Sequence, residues 1–290
     1  KWCAEGWFMR HSPLNAALAL ISQEDRLKEK CAMCLQVKKL CKSHAIPNSY
    51  FRAIFKSQEN SQAILISDKP NKEIRLSQDS WATKQLCSSC EIRLNKNYEK
   101  YGIDLLNGKI GSFERKENGI NVTGINTVKL RDYVISILWR ASKSKHPNYS
   151  QVKLSDKLNE SLRFALNTLT SPSKRLLSIR IFRLVDSTKD GFDRDMLRDA
   201  VSSPFMRDYE LANVCGKSVC FVFHGFLFEI FPNGRPLNIT YNHEFVGYSK
   251  DTYFFKYLEI CDVPELFHVM LVAYGKTEQG LVSPKVLTKR

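Results

Sequence analysis

Two short cysteine pairs constrain what this chain can fold into more than any other feature. Cys31 and Cys34 form one C-x-x-C, Cys87 and Cys90 form a second, and residues 35–86 lie between them. A C-x-x-C turn presents two thiolates to one ion at about 2.3 Å, and two such turns complete a tetrahedral zinc shell. The second pair opens a helical pattern, "LCSSCEIRLNKNYEKYG", where the positive end of the helix dipole favours thiolates. The pattern predicts one structural Zn2+ held by Cys31, Cys34, Cys87 and Cys90; the alternative is four buried, unpaired thiols. The other five cysteines, Cys3, Cys41, Cys215, Cys220 and Cys261, are scattered. That is too sparse for a disulfide scaffold in a chain of 290 residues, so a reducing cytoplasmic setting is expected.

Charge narrows the partners. Lysine and arginine number 44 against 30 aspartates and glutamates, a formal charge of +14. Such a balance favours a polyanion, nucleic acid first and an acidic membrane surface second. Hydrophobic residues make up 43%, enough for a sizeable core. Apolar runs such as Val219–Phe223 fall far short of the roughly 20 residues that span a bilayer, so no membrane partner is expected. The opening "KWCAEGWFMR" lacks the apolar run of a signal peptide, and Met9 is a candidate start.

The pattern along the chain reads as α+β. A helix is expected over 12–29, capped at Ser12-Pro13 with Leu14, Leu18 and Ile21 on one face. Residues 57–80 read as a polar hairpin or insertion, and 107–127 as loop with short strands. "TVKLRDYVISILWRASKS" carries an apolar face at Leu130, Tyr133, Val134, Ile137, Leu138 and Ala141, and Ser155 caps a further helix. "RLLSIRIFRLV", "VCFVFHGFLFEIF" and "TYFFKYLEI" read as strands. "FHVMLVAY" is ambiguous. The expected division is an N-terminal helix (1–30), a zinc module (31–105), a loop and helical middle (106–170) and a C-terminal α+β domain (171–290).

Between the cysteine pairs lies "CKSHAIPNSY". His44 reads three ways: a half-buried core histidine, a spare zinc ligand, or a neutral imidazole that takes a proton from water attacking a phosphodiester. Pro47 stiffens the chain leaving it. Arg52, Lys56, Arg93 and Lys96 neighbour this segment or its helix and are candidate phosphate contacts. "RASKSKH" adds Lys143 and Lys145, with Lys153 and Lys157 beyond, as a basic patch or a solvated face. Trp139 reads as core. Arg140 is either a helix-end arginine paired to a carboxylate or carbonyl, or a phosphate ligand. His224 and Gly225 sit inside an apolar strand, where a buried histidine and a bulge are expected.

The order C-x-x-C, Ser43-His44-x-Ile46-Pro47, C-x-x-C and Glu91 resembles the zinc-stabilised HNH endonuclease modules. In those, two C-x-x-C knuckles flank an Asp-His-x-x-Pro segment in a ββα-metal, treble-clef-like unit. The resemblance implies His44 as general base, with Glu91 and then Asn95 or Glu99 positioning Mg2+ or another divalent ion. At 100° per residue, Asn95 and Glu99 lie roughly 40° and 80° round the helix from Glu91. Two positions depart from the family: Ser43 replaces the usual aspartate, and Glu91 stands where histidine or asparagine is usual. "SHAIPNSYFR", "LCSSCE", "SILWRAS" and "LRFAL" are also similar to uncharacterised bacterial proteins of phage-defence neighbourhoods. The implied function is metal-dependent cleavage of nucleic acid, DNA before RNA, in antiviral defence. The alternative is a non-catalytic zinc-stabilised adaptor that binds nucleic acid, or a protein partner in a larger defence complex.

Overall fold

The computed structural model describes residues 28–57, 61–189, 191–211, 214–232 and 243–287. Three sheets form. The first has the order β1 (Lys28–Lys30), β2 (Val37–Ser43), β5 (Thr83–Cys87). Lys28 and Glu29, expected at the end of a helix over 12–29, are in β1, because the turn at Cys31–Cys34 folds them back antiparallel onto Val37–Lys39. The rest of that helix lies outside the described residues. The polar segment 57–80 holds a small hairpin, β3 (Ala63–Leu65) with β4 (Arg75–Ser77), as its composition suggests.

The largest sheet has seven strands in the order β6 (Ser112–Lys116), β7 (Gly119–Thr123), β12 (Thr252–Glu259), β8 (Leu177–Val185), β11 (Phe226–Pro232), β10 (Val214–Phe223), β9 (Val201–Leu211). Every pairing is antiparallel except β12 with β8. The run "VCFVFHGFLFEIF", expected as one strand, is two. His224 (φ 55°) and Gly225 (φ 72°) form a two-residue turn closing Phe223 onto Phe226. Positive φ at both central positions is the hairpin turn whose twist matches the strands.

Strand alternation buries both faces. Ile179, Ile181, Phe221, Phe223, Phe228 and Phe255 face the main core, whereas Leu184, Cys220, Val222 and Leu227 face a smaller one. Helix α7 (Pro264–Glu278), the stretch whose periodicity was ambiguous, packs Leu266 and Met270 on the smaller core. The core does not divide at 105/106 or 170/171. Cys31, Trp139 and Phe255 belong to one apolar cluster, and the 112–123 hairpin joins the sheet of the C-terminal strands.

Helix α4 (Thr127–Lys143) is the hub. Asn126 caps it by accepting from Lys129 N–H, and every residue from Leu130 to Ala141 is buried. Against it lies a continuous helical run: α2 (Ser88–Leu94), a π-helical turn (Asn95–Glu99) and α3 (Lys100–Leu106). Gly102 makes that approach possible, since a Cβ there would come within 2.3 Å of the Tyr133 ring. Helix α1 (Asn48–Lys56) sets the Tyr50 ring 5.2 Å from Phe223 and joins its hydroxyl to that of Tyr133 at 3.1 Å. Helix α5 (Asp156–Thr168), capped by Ser155, closes the other flank of α4.

Candidate metal centre and the buried charge cluster beside it

The β1–β2 turn supplies the first two thiols. Cys31 N–H donates to Gln36 O and Leu35 N–H to Cys31 O, both at 2.9 Å, and Leu35 adopts a left-handed conformation (φ 62°) to complete the knuckle. Cys87 is the last residue of β5 and the N-cap of α2; Cys90 stands in the first turn of α2. All four sulfurs lie within 4.8 Å of one another, with Cys34 and Cys87 at 3.9 Å. Tetrahedral arms of 2.3 Å set sulfurs about 3.8 Å apart, so the spacing fits one ion and is far too long for a disulfide. The protein thus has a mixed α+β fold with a buried four-cysteine cluster able to chelate a metal, followed by helices and a C-terminal multi-stranded sheet.

Hydrogen-bond donors approach three of the sulfurs. Cys87 N–H donates to Cys31 Sγ (3.3 Å), the Ser89 hydroxyl lies 3.3 Å from Cys87 Sγ, and Arg93 Nη2 lies 3.9 Å from Cys90 Sγ. Burial pushes the Cys31 and Cys90 thiols up. Burial also opposes ionisation of Cys87, but hydrogen bonds from Ser89 and Cys90 hold it down at about 6. Such N–H···S bonds spread the negative charge of a thiolate-rich shell.

Glu91 follows Cys90 and turns inward. Arg140, wholly enclosed, places Nη1 3.6 Å from Glu91 Oε1 and pairs Nη2 with Glu99 Oε1. With its amide nitrogen facing Glu99, Asn95 donates to Glu99 Oε1 (3.1 Å) and to Glu91 O (3.2 Å). Eight residues at 100° each overshoot two turns by about 80°, which would carry Glu99 away from Glu91. The π turn rotates less per residue and brings Glu99 back to the same guanidinium. Burial works against the charge on Arg140, but Glu99 and then Glu91 outweigh it. Burial raises Glu91, with Arg140 and the Ser43 hydroxyl opposing.

His44 bonds through Nε2 to the Ser80 hydroxyl at 3.0 Å. Burial, then the charges of Arg140, Lys42 and Arg52, push it down to about 4, so its ring is neutral at pH 7. It is not a member of the four-sulfur group that could hold a metal. Ser80 escaped sequence reasoning, for it sits in a polar loop distant in the chain with no motif around it.

The expected site residues therefore separate into groups. His44, Glu91, Asn95 and Glu99 gather around Arg140. Arg140 itself faces no groove: its side chain is 0% exposed, because two carboxylates hold it inside. Among the described residues, the cysteines are the only group of three or more His, Cys, Asp or Glu ligands close enough to share a metal, so the carboxylates and His44 form no second such cluster. The cation that lies against both Glu91 and Glu99 is the Arg140 guanidinium. Arg52 and Lys56 are exposed on α1 and Lys96 on the π turn, while Arg93 turns to Cys90 and Asn167. Lys143 is half-buried and Lys145 exposed beyond α4.

No helix among the described residues is long and apolar enough to cross a membrane. Comparisons with protein-family models, curated proteins and solved structures give no match.

Proposed function

We propose that this chain is a zinc-stapled module that binds nucleic acid through its lysine-bearing strands and does not cut it. One observation carries the reading: the small sheet beside the cysteines is built from lysine. Residues 28–42 contain Lys28, Lys30, Lys38, Lys39 and Lys42 with Glu29 the sole acid, and Lys42 pairs across the strands with Lys84. Like charges placed opposite each other cost stability, which a phosphate backbone relieves. Zinc is the metal that suits an all-thiolate tetrahedral shell, and the knuckle-then-helix arrangement is treble-clef-like. It holds β1, β2 and β5 as one rigid platform. The internal Arg140 pairs with Glu91 and Glu99, the carboxylates that a cleavage metal would need. The adaptor reading extends to a protein partner within a defence complex.

Anisotropy of a labelled oligonucleotide tests this. Binding should weaken with salt, and Lys38→Ala, Lys39→Ala and Lys42→Ala together should flatten the slope of log K against log [salt] by about 2. Native mass spectrometry should find one zinc per chain, lost in Cys34→Ser. Salt-independent or absent binding overturns the reading.

A nuclease reading has its own support in the gathering of His44, Glu91, Asn95 and Glu99. In it the neutral His44 is the base, and Arg140 swings aside so that Glu91, with Asn95 or Glu99, holds Mg2+. Divalent-dependent cleavage that vanishes in His44→Ala while zinc is retained would replace the first reading.

A further inference from the structure

Three arginines are fully buried among the described residues, and they are not treated alike. Arg140 has Glu91 and Glu99. Arg131 has Asp132 at 3.9 Å and three main-chain carbonyls. Arg183, 6% exposed, has no carboxylate: Nη1 donates to His224 O at 3.2 Å, the guanidinium lies 4.8 Å from the Phe226 ring centroid, and Nη2 has no hydrogen-bond partner among the described residues. An uncompensated buried cation is costly, and natural chains pair such groups.

The neighbours add charge of the same sign. Arg183 sits on β8 in register with Tyr257 of β12, on the core-side face. Along that face, Phe255 pairs with Ile120 and Ile120 with Arg115, so Arg115 stands at the same end of the sheet. Helix α6 (Arg194–Arg198) packs against β8 from the other face, with Leu197 in the smaller core, and carries Arg194 and Arg198. Burial first, and then the charges of Arg194, Arg198 and Arg115, work against the charge on Arg183; the Tyr257 phenol acts the other way, and no carboxylate does. Arg115 and Arg194 form no ion pair among the described residues; Arg198 has one, to Asp195 at 3.7 Å. The turn is cut to fit: a Cβ on Gly225 would come 2.6 Å from Arg183 Nη1.

We infer that Arg183, rimmed by Arg115, Arg194 and Arg198, is a binding site for a phosphomonoester, the terminal phosphate of a nucleic acid. A carboxylate would offset only one of these charges. A dianionic phosphate offsets two and matches the planar fork of the free Nη2 edge. The identity of the phosphate's carrier rests on the nucleic-acid reading above; the site itself does not.

The test uses the full chain with one oligonucleotide bearing either a 5′-phosphate or a 5′-hydroxyl, and with adenosine monophosphate and inorganic phosphate. The phosphorylated oligonucleotide should bind at least about tenfold more tightly than its hydroxyl twin. Arg183→Met should erase that preference without lowering the melting temperature, since it removes an unpaired buried charge. Should Arg183→Met fail to fold, Arg115→Ala with Arg194→Ala, both on exposed residues, should weaken the preference several-fold. A mononucleotide that binds as tightly as the phosphorylated oligonucleotide supports the site and assigns it to a free ligand. Equal binding of the two oligonucleotides with no thermal shift from either small phosphate overturns the inference, as does a preference that survives both variants. Failure of the nucleic-acid reading looks different: the hydroxyl oligonucleotide then shows no binding that depends on Lys38, Lys39 and Lys42.

Discussion

Replacing Arg140 with methionine is the sharpest perturbation of the charge cluster. The side chain is 0% exposed and neutralises Glu91 and Glu99, whose own side chains are only 15% and 12% exposed. Removing one member of a buried ion set leaves the others uncompensated and costs about 3–5 kcal/mol. At 2–4 °C per kcal/mol that is on the order of 6–20 °C in melting temperature. Acidity supplies a second readout. Glu91 is already raised by burial and held down by Arg140, so its removal raises the carboxyl further. A carboxyl whose folded pKa exceeds its unfolded value favours folding at low pH, and that contribution is lost as pH rises through the folded value. The gap between variant and wild type should therefore be widest near pH 7 and narrow toward pH 5. Adding Glu91→Gln and Glu99→Gln to the methionine variant should recover most of the loss. Scanning fluorimetry of the metal-loaded protein at several pH values measures all of this. A loss below about 1 kcal/mol, or one that is the same at pH 5 and pH 7, would refute the reasoning, because the three charges would then not depend on one another.

Other perturbations read other parts of the structure. The His44 ring should titrate near pH 4 by NMR, and because its folded value lies below the ordinary 6.5, its contribution to stability is full above 6.5 and falls as pH drops toward 4; a midpoint at 6 or above contradicts its enclosure. Gly102→Ala should cost about 1–3 kcal/mol by driving a methyl into the Tyr133 ring, and a wild-type melting temperature would mean the helices slide apart freely. Leu35→Gly should raise stability by up to about 1 kcal/mol by relieving the left-handed conformation in the cysteine knuckle; a drop in melting temperature would show that the leucine side chain matters more than its backbone.

The sequence disclosed elements whose signals are local. The cysteine pairs, the apolar face of Thr127–Lys143 and the Ser155 cap each need only a few neighbouring residues, and all three are as expected. The His224–Gly225 turn was hidden because apolar residues flank it on both sides, so no polar break marked the reversal. Helix Pro264–Glu278 was ambiguous because Phe267, Leu271 and Tyr274 leave its outer face apolar too, which blurs the period. The candidate site was half legible. His44, Glu91, Asn95 and Glu99 are brought together by the resemblance to the HNH modules, but Arg140 between the carboxylates depends on a π turn and on the docking of a distant helix. Arg183 gave no signal at all, since an arginine alternating with apolar residues in "SIRIFRLV" looks like any solvated strand position.

The lone parallel pairing of the large sheet has a consequence for how the chain is made. The hairpin at 112–123 and the strand at 177–185 emerge early from the ribosome, yet each meets its shared neighbour only when Thr252–Glu259 is synthesised. Until then both present open hydrogen-bonding edges. A chain that stalls short of residue 252 is therefore left with two sticky borders, and the last-arriving strand is the one that seals them.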